Sequence, residues 1–250
     1  MKITILGSGA SRINLKRSSP AYLLEVNSKN ILIDAGPGCV KQLLKIKKTV
    51  FDIDAILFTH FHKDHYLDLP VILGELHHQK DRPELGCYPK LKIGKIKIYG
   101  PAALKKIVAP IKRDLPLETR VIGNSKFKLF GLKISSLLLE HMGEIIGYKI
   151  ENGKRNFTFT SDSKYCKNSI ELAKNTDVLI HSVGLPKKFK VTSAHPTLID
   201  VGKVADQAKV KKLVLTHFYP VMDKYNYLKD VRKNYKGPII AAKDLMKINI

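Results

Sequence analysis

"THFHKDH", residues 59–65, places three histidines and an aspartate in seven positions, directly after the apolar run "DAILF" (54–58). A short continuous apolar run of this kind reads as a strand buried on both faces. His60 and His62 are two residues apart, so in extended backbone both rings lie on one side. Asp64 and His65 follow in a turn and face a second point a few ångströms away. Imidazole nitrogens and a carboxylate so close together suit zinc, or manganese or iron. A pair of histidines on a surface is ordinary, but four ligand-type residues in six positions after a buried strand are not.

The ends of other apolar runs repeat the theme: "ILID" (31–34), "LLLEH" (137–141), "FTFTSD" (157–162) and "LVLTH" (213–217) each finish on Asp or His. Loops leaving the strand ends of an open α/β sheet form its pockets. His141, Asp162 and His217 therefore join His60, His62, Asp64 and His65 as candidate ligands, enough for two metals. Further apolar runs ("KITILG", "YLLEV", "IKIYG", "GYKIE", "VLIHS", "PIIAA") read as strands. Between them lie helical patterns: "PGCVKQLLKIKK", "LDLPVILGELHHQ", "PAALKKIVAPIK" with proline in its first turn, "KNSIELAKN", "TLIDVGKVADQAK" and "NYLKDVRKNY". Strands early and late with helices among them predict an α/β layered fold.

The 250 residues contain no Pro/Gly/Ser-rich linker, low-complexity tract or block of like charge, so a single domain over 1–250 is expected. No stretch of about 18 apolar residues offers a membrane span. "MKITILGSGAS" reads as a strand entering a glycine turn and not as a signal peptide. Cys39, Cys87 and Cys166 are widely spaced and lack a CxxC pattern, which argues for a reducing, cytoplasmic setting and for buried or inert thiols. The formal net charge of +22 attracts polyanions, but the lysines are scattered over many segments and reflect composition as readily as function.

The five segments together resemble the metallo-β-lactamase superfamily. "ILIDAG" is similar to its first motif, "THFHKDH" to its second, "EHMGEIIGYKI" to its third, "TSD" to its fourth and "THF" to its fifth, from Gly7 to at least His217. The resemblance implies a four-layer αββα sandwich with the site at one edge of two sheets. It implies that His60, His62 and His141 hold one metal, that Asp64, His65 and His217 hold the other, and that Asp162 bridges them. Asp34 would orient a ligand imidazole. Two such ions, zinc as first choice with Mn2+ or Fe2+ as alternatives, would hold a bridging hydroxide that is nucleophilic near neutral pH.

"SAHPT" (193–197) resembles the histidine loop of the ribonuclease Z and phosphodiesterase branch. The resemblance implies that His195 protonates the leaving oxygen, and Asp64 and His195 are the candidate catalytic residues. The glutamate that often follows this histidine in the branch is replaced by Pro196. The tRNA-gripping arm of ribonuclease Z, inserted between the third and fourth motifs, is also missing: only residues 142–161 separate His141 from Asp162. That spacing looks like phosphoribosyl cyclic phosphodiesterase, though the cysteines and histidines of that enzyme's structural zinc are lacking.

The expected activity is hydrolysis of a phosphodiester, with a small or cyclic phosphodiester or RNA as substrate. The alternatives are ribonuclease Z-like tRNA 3′ processing, a thioesterase or lactone hydrolase on the same fold, and a non-catalytic nucleic-acid-binding module. A homodimer is left open and no membrane partner is expected. His181 is expected in the core or beside a ligand, His77 and His78 in solvent, and Tyr219 in packing. The glycines of "LGSGAS" allow either backbone approach to an anion or a plain tight turn.

Overall fold

The computed structural model describes residues 1–87, 91–112, 114–189 and 195–250. Its first sheet contains β1 (Lys2–Gly7), β2 (Ala21–Val26), β3 (Lys29–Ala35), β4 (Ala55–Leu57), β5 (Ile96–Gly100) and β6 (Leu117–Val121). Its second contains β7 (Ser125–Leu129), β8 (Leu132–Leu139), β9 (Ile145–Asn152), β10 (Arg155–Ser161), β11 (Val178–Ser182), β12 (Leu213–Thr216) and β13 (Ile239–Ala241). A last strand, β14 (Lys247–Asn249), returns to pair antiparallel with β1.

The sheet orders are β14-β1-β2-β3-β4-β5-β6 and β13-β12-β11-β10-β9-β8-β7. In each sheet an antiparallel meander leads into parallel strands: β3 to β6 in the first, β10 to β13 in the second. The two halves of the chain thus repeat one plan.

Side-chain alternation explains the layering. Ile3, Ile5, Tyr22, Leu24, Ile31 and Ile33 face Tyr148, Ile150, Phe157, Phe159, Ile180 and Val214 across the gap between the sheets. The intervening residues of the first sheet, such as Leu23, Leu32, Ile56 and Ile98, pack outward with α1 (Cys39–Lys45), α3 (Leu69–Asp81) and α4 (Leu104–Val108). A one-turn helix, α2 (Lys63–Tyr66), precedes α3. On the other side, Leu179, Leu213 and Leu215 pack against α6 (Leu198–Gln207) and α7 (Tyr227–Val231), and α5 (Lys167–Ala173) contributes Ala173 to the same cluster. The result is the αββα sandwich. Among the described residues no helix is long and apolar enough to cross a membrane.

Several expectations need correction. β6, β7 and β14 carry no long apolar run. β6 is an exposed edge strand, and β14 is three residues long. Helix α4 begins at Leu104, after a turn that contains Pro101, so that proline lies outside its first turn. All three cysteines are free, but Cys87 is exposed where only Cys39 and Cys166 are buried.

The two sheets are tied together beside the strand ends. The Tyr148 hydroxyl donates to the Phe58 carbonyl at 2.6 Å, and Ile146 N–H donates to the Thr59 carbonyl at 2.8 Å. The Tyr22 hydroxyl lies 3.0 Å from Thr216 Oγ1. These bonds, buried in an apolar gap, set the register of "HFHKDH" against the second sheet, each contributing about 1 kcal/mol.

Candidate metal centre

The strands β3, β4, β8, β10 and β12 end at one edge, and there the chain turns sharply. Asp34 (φ 57°), Ser161 (φ 53°) and His217 (φ 58°) are non-glycine residues in the left-handed region. Such backbone costs about 1–2 kcal/mol per residue and persists only where its surroundings enforce it. Each such turn lies at a strand end that carries a candidate site residue.

The turns bring the predicted ligands into two groups. His60, His62, His141 and Asp162 offer ligand atoms that all lie within 4.8 Å of one another, as do those of Asp64, His65 and His217. In the first group His141 Nε2 is 3.2 Å from His62 Nδ1 and 3.3 Å from Asp162 Oδ2, and His60 Nε2 is 3.8 Å from Asp162 Oδ1. In the second, His217 Nε2 stands 3.4 Å from both His65 Nε2 and Asp64 Oδ2. Asp162 also reaches this group, 3.9 Å from His65 Nε2 and 3.8 Å from His217 Nε2. One buried carboxylate therefore stands between the two groups.

A supporting network decides where the imidazole protons sit. Asp34, fully buried, accepts from Thr59 N–H at 2.8 Å and from the Thr59 hydroxyl at 2.8 Å. That hydroxyl has one hydrogen, so at 3.0 Å it accepts from His60 Nδ1–H. A neutral His65 likewise donates Nδ1–H to Asp34 Oδ2 at 2.8 Å. Both rings then turn an unprotonated Nε2 inward. The Ser161 hydroxyl donates to Asp162 Oδ1 at 3.0 Å and fixes that carboxylate. Thr59 and Ser161 each stand one residue before a ligand candidate, and nothing in their residue types marked them out.

The electrostatics call for cations. Burial opposes charge on Asp162, but His60, His217, His65 and His141 outweigh it and hold the carboxyl well below the usual range. Burial also opposes charge on His65, yet Asp34, Asp162 and Asp64 push its imidazole up to about 9. His60 goes the other way, held well below its ordinary value by burial and by the neighbouring His65. Its Nε2 is buried with no hydrogen-bond partner among the described residues, a situation that costs about 1–3 kcal/mol when nothing compensates. Inward-facing lone pairs on several imidazoles, shared carboxylates and an orphaned buried nitrogen fit divalent metal ions.

His195 enters from the second half. Its Nδ1 is 3.8 Å from Asp162 Oδ2 and its Nε2 is 3.4 Å from the Tyr219 hydroxyl. Burial depresses its imidazole to about 4. The loop is held from behind, because Leu185 N–H donates to the Pro196 carbonyl at 3.1 Å and Leu198 N–H to the Leu185 carbonyl at 3.2 Å. Gly184, at φ 76°, allows this approach: a Cβ there would lie 2.8 Å from the Pro196 oxygen. Thr197 is the N-cap of α6, its hydroxyl accepting from Asp200 N–H at 3.2 Å. Ser193 and Ala194 of "SAHPT" lie outside the described residues.

The other sequence candidates take quieter places. His181 is fully buried, donates Nδ1–H to the Ser182 carbonyl (2.9 Å), and belongs to neither ligand group. His77 contacts Asp114 at 3.2 Å on α3, away from the ligand groups. In "LGSGAS", a Cβ at Gly7 would fall 1.8 Å from the Ser19 oxygen and one at Gly9 2.9 Å from the Ser18 oxygen. These glycines serve close packing of the chain on itself. Tyr219 packs as expected, and its hydroxyl also points at His195.

Comparison with known proteins shows the family and the fold. The family model described as the beta-lactamase superfamily domain matches residues 29–218. A ribonuclease Z of Archaeoglobus fulgidus is 24% identical over 306 aligned positions that cover 100% of this chain and 97% of that protein. The metallo-β-lactamase fold protein YhfI of Bacillus subtilis superposes with a TM-score of 0.85 at 20% identity, covering 99% of this chain and 98% of that one. A diphosphatase from the PhnP family superposes at 0.73 with 22% identity, covering 100% and 97%.

Proposed function

The chain belongs to the β-lactamase superfamily, and on that premise we propose that it is a binuclear, metal-dependent hydrolase of phosphodiester bonds. The observation that carries this reading is the Asp162 carboxylate, which stands between two ligand groups and has the His195 imidazole 3.8 Å away. His60, His62 and His141 would hold one divalent ion, Asp64, His65 and His217 the other, and Asp162 both, with zinc the first choice. Bound there, such ions make water acidic enough to serve as a nucleophile at neutral pH and neutralise charge on phosphoryl oxygens.

The chain's own residues supply the rest. Asp34 and Thr59 lock the His65 and His60 rings so that their inward nitrogens do not rotate away. Asp64 contributes its carboxylate to the second group from a one-turn helix, next to His217. His195 serves as the general acid toward the leaving oxygen. Burial keeps its ring neutral when the pocket is without substrate. An anionic phosphodiester arriving beside it favours the protonated form, so the proton is taken up with the substrate and given to the leaving group.

The second sheet supports a small substrate. β9 and β10 are joined by a two-residue turn at Gly153 and Lys154, with Asn152 paired to Arg155, and no arm rises there. This favours short or cyclic phosphodiesters. A second reading, a ribonuclease Z-like endonuclease for precursor tRNA, is favoured by the archaeal relative that bears that name.

Purified protein assayed on a chromogenic phosphodiester and on a thioester, with and without chelator, tests the class. Chelator-sensitive turnover of the phosphodiester alone is expected, and preferential thioester hydrolysis would refute the reading. His195→Ala should retain its metals and lose about 10²–10⁴-fold in turnover of a diester with an alkoxide leaving group. A nitrophenolate, which needs no proton, should suffer less.

A further inference from the structure

Pro196 follows His195 and has no side-chain donor or acceptor to hold the ring. Among the described residues the side chain that meets His195 Nε2 is Tyr219, whose hydroxyl is 3.4 Å away. On its other side the same hydroxyl is 3.4 Å from Ser11 Oγ. The aromatic ring packs edge-on against His195 (centroids 6.0 Å apart, 80°) and against His217 (5.9 Å, 80°). Its backbone is pinned as well. Phe218 N–H donates to the Ser8 carbonyl at 2.8 Å and Ala10 N–H to the Phe218 carbonyl at 3.2 Å, while Pro220 keeps residue 219 extended.

We propose that Tyr219 is the positioning residue of the general acid: its hydroxyl engages His195 Nε2 and so turns Nδ1, the nitrogen beside Asp162, toward the leaving oxygen. Tyr219 touches no reacting atom in this scheme and acts only through the imidazole. Ser11, at the exposed end of the chain of contacts, steadies the phenol. The proposal rests on His195 being the acid. The orientation it enforces is one that an imidazole on a loop would not keep unaided, because rotation about its χ2 angle is soft.

Tyr219→Phe keeps the ring and removes the hydroxyl. It should bind metals as the parent does. It should lose about 3- to 10-fold in kcat on a dinucleotide whose leaving group is a ribose oxygen, as expected for one net hydrogen bond. On bis(p-nitrophenyl) phosphate the loss should stay within about twofold, and KM should hold for both substrates. Placed on His195→Ala, the change should cost nothing more on the dinucleotide, since coupled residues are not additive. Equal losses on both substrates, or a further loss in the His195→Ala background, would overturn the assignment of Tyr219 while leaving His195 in place. If His195→Ala itself fails to discriminate between the two leaving groups, the acid reading falls and Tyr219 with it.

Discussion

Replacing Gly36 by alanine should damage one metal position and spare the other. Gly36 follows β3, and a Cβ built there would sit 1.9 Å from the Asp64 carbonyl oxygen, 2.9 Å from the Pro20 oxygen and 2.9 Å from Ser19 Cβ. The first two obstacles are backbone, so no side-chain rotation relieves them. The Asp64 carbonyl is about 1.5 Å inside ordinary contact and has to retreat by that amount. Asp64 and His65 share the one-turn helix α2, so both candidate ligands move with it. His60 and His141 leave other strand ends, and of the first group only His62, the N-cap of α2, adjoins that helix. Overpacking of this kind costs about 1–3 kcal/mol, or roughly 3–10 °C in Tm for a chain of this size. A displacement of about 1 Å at a reacting group costs on the order of 100-fold in turnover. Elemental analysis after exhaustive dialysis, a melting curve and chromogenic diester turnover read the three consequences. We expect about one equivalent of metal in place of two, a lowered Tm and a strong loss of rate. Parental metal content together with parental Tm would refute the reasoning, because the Asp64 backbone would then have yielded at no cost.

Asp162→Ala should lose more metal than Asp34→Ala, since Asp162 reaches atoms of both ligand groups and Asp34 supports only His60 and His65; equal metal content by elemental analysis would count against a shared carboxylate. Metal loading near pH 7.5 should release about one proton from His65, whose imidazole Asp34, Asp162 and Asp64 push up to about 9 against the effect of burial. In the metal-stripped protein this raised value supports folding fully below pH 6.5 and loses its effect as pH rises through about 9. Calorimetry in buffers of different ionisation enthalpy would expose a mistaken sign as proton uptake. RNA binding driven by the net charge of +22 should weaken steeply with salt as phosphate contacts release counterions, and salt-independent affinity would make that charge merely compositional.

The strand ends that carry the candidate ligands were legible because five motifs in order close apolar runs with histidine or aspartate, although His181 lies at the end of the buried β11 in the same way and belongs to neither ligand group. The apolar runs predicted an α/β layered fold, and the four layers came from the family resemblance. What escaped was of three kinds. β6, "LETRV", is an exposed edge strand, so its side chains keep no apolar alternation to read. The left-handed turns at Asp34, Ser161 and His217 are imposed by tertiary contacts and leave no trace in residue type. Partners such as Thr59 for Asp34, or Tyr219 for His195, are defined by contacts that no spacing rule encodes. His65 and Asp34 are far apart in the chain yet share a hydrogen bond of 2.8 Å, and only the folded sheet brings them together.

The tight turn at Gly153 and Lys154 acts as a blank on a ruler. β10 runs seven residues from Arg155 to Ser161, so the hairpin tip stands about 23 Å from the metal edge along the strand. Anything inserted at that tip would touch a long substrate at a fixed distance from the bond being cut, and so measure where to cut. The tip is exposed and its strands are already paired, so a graft there would leave the register of the sheet and the ligands unchanged. Length selection in this architecture is thus a separate module from bond cleavage, and this chain carries the blade without the gauge.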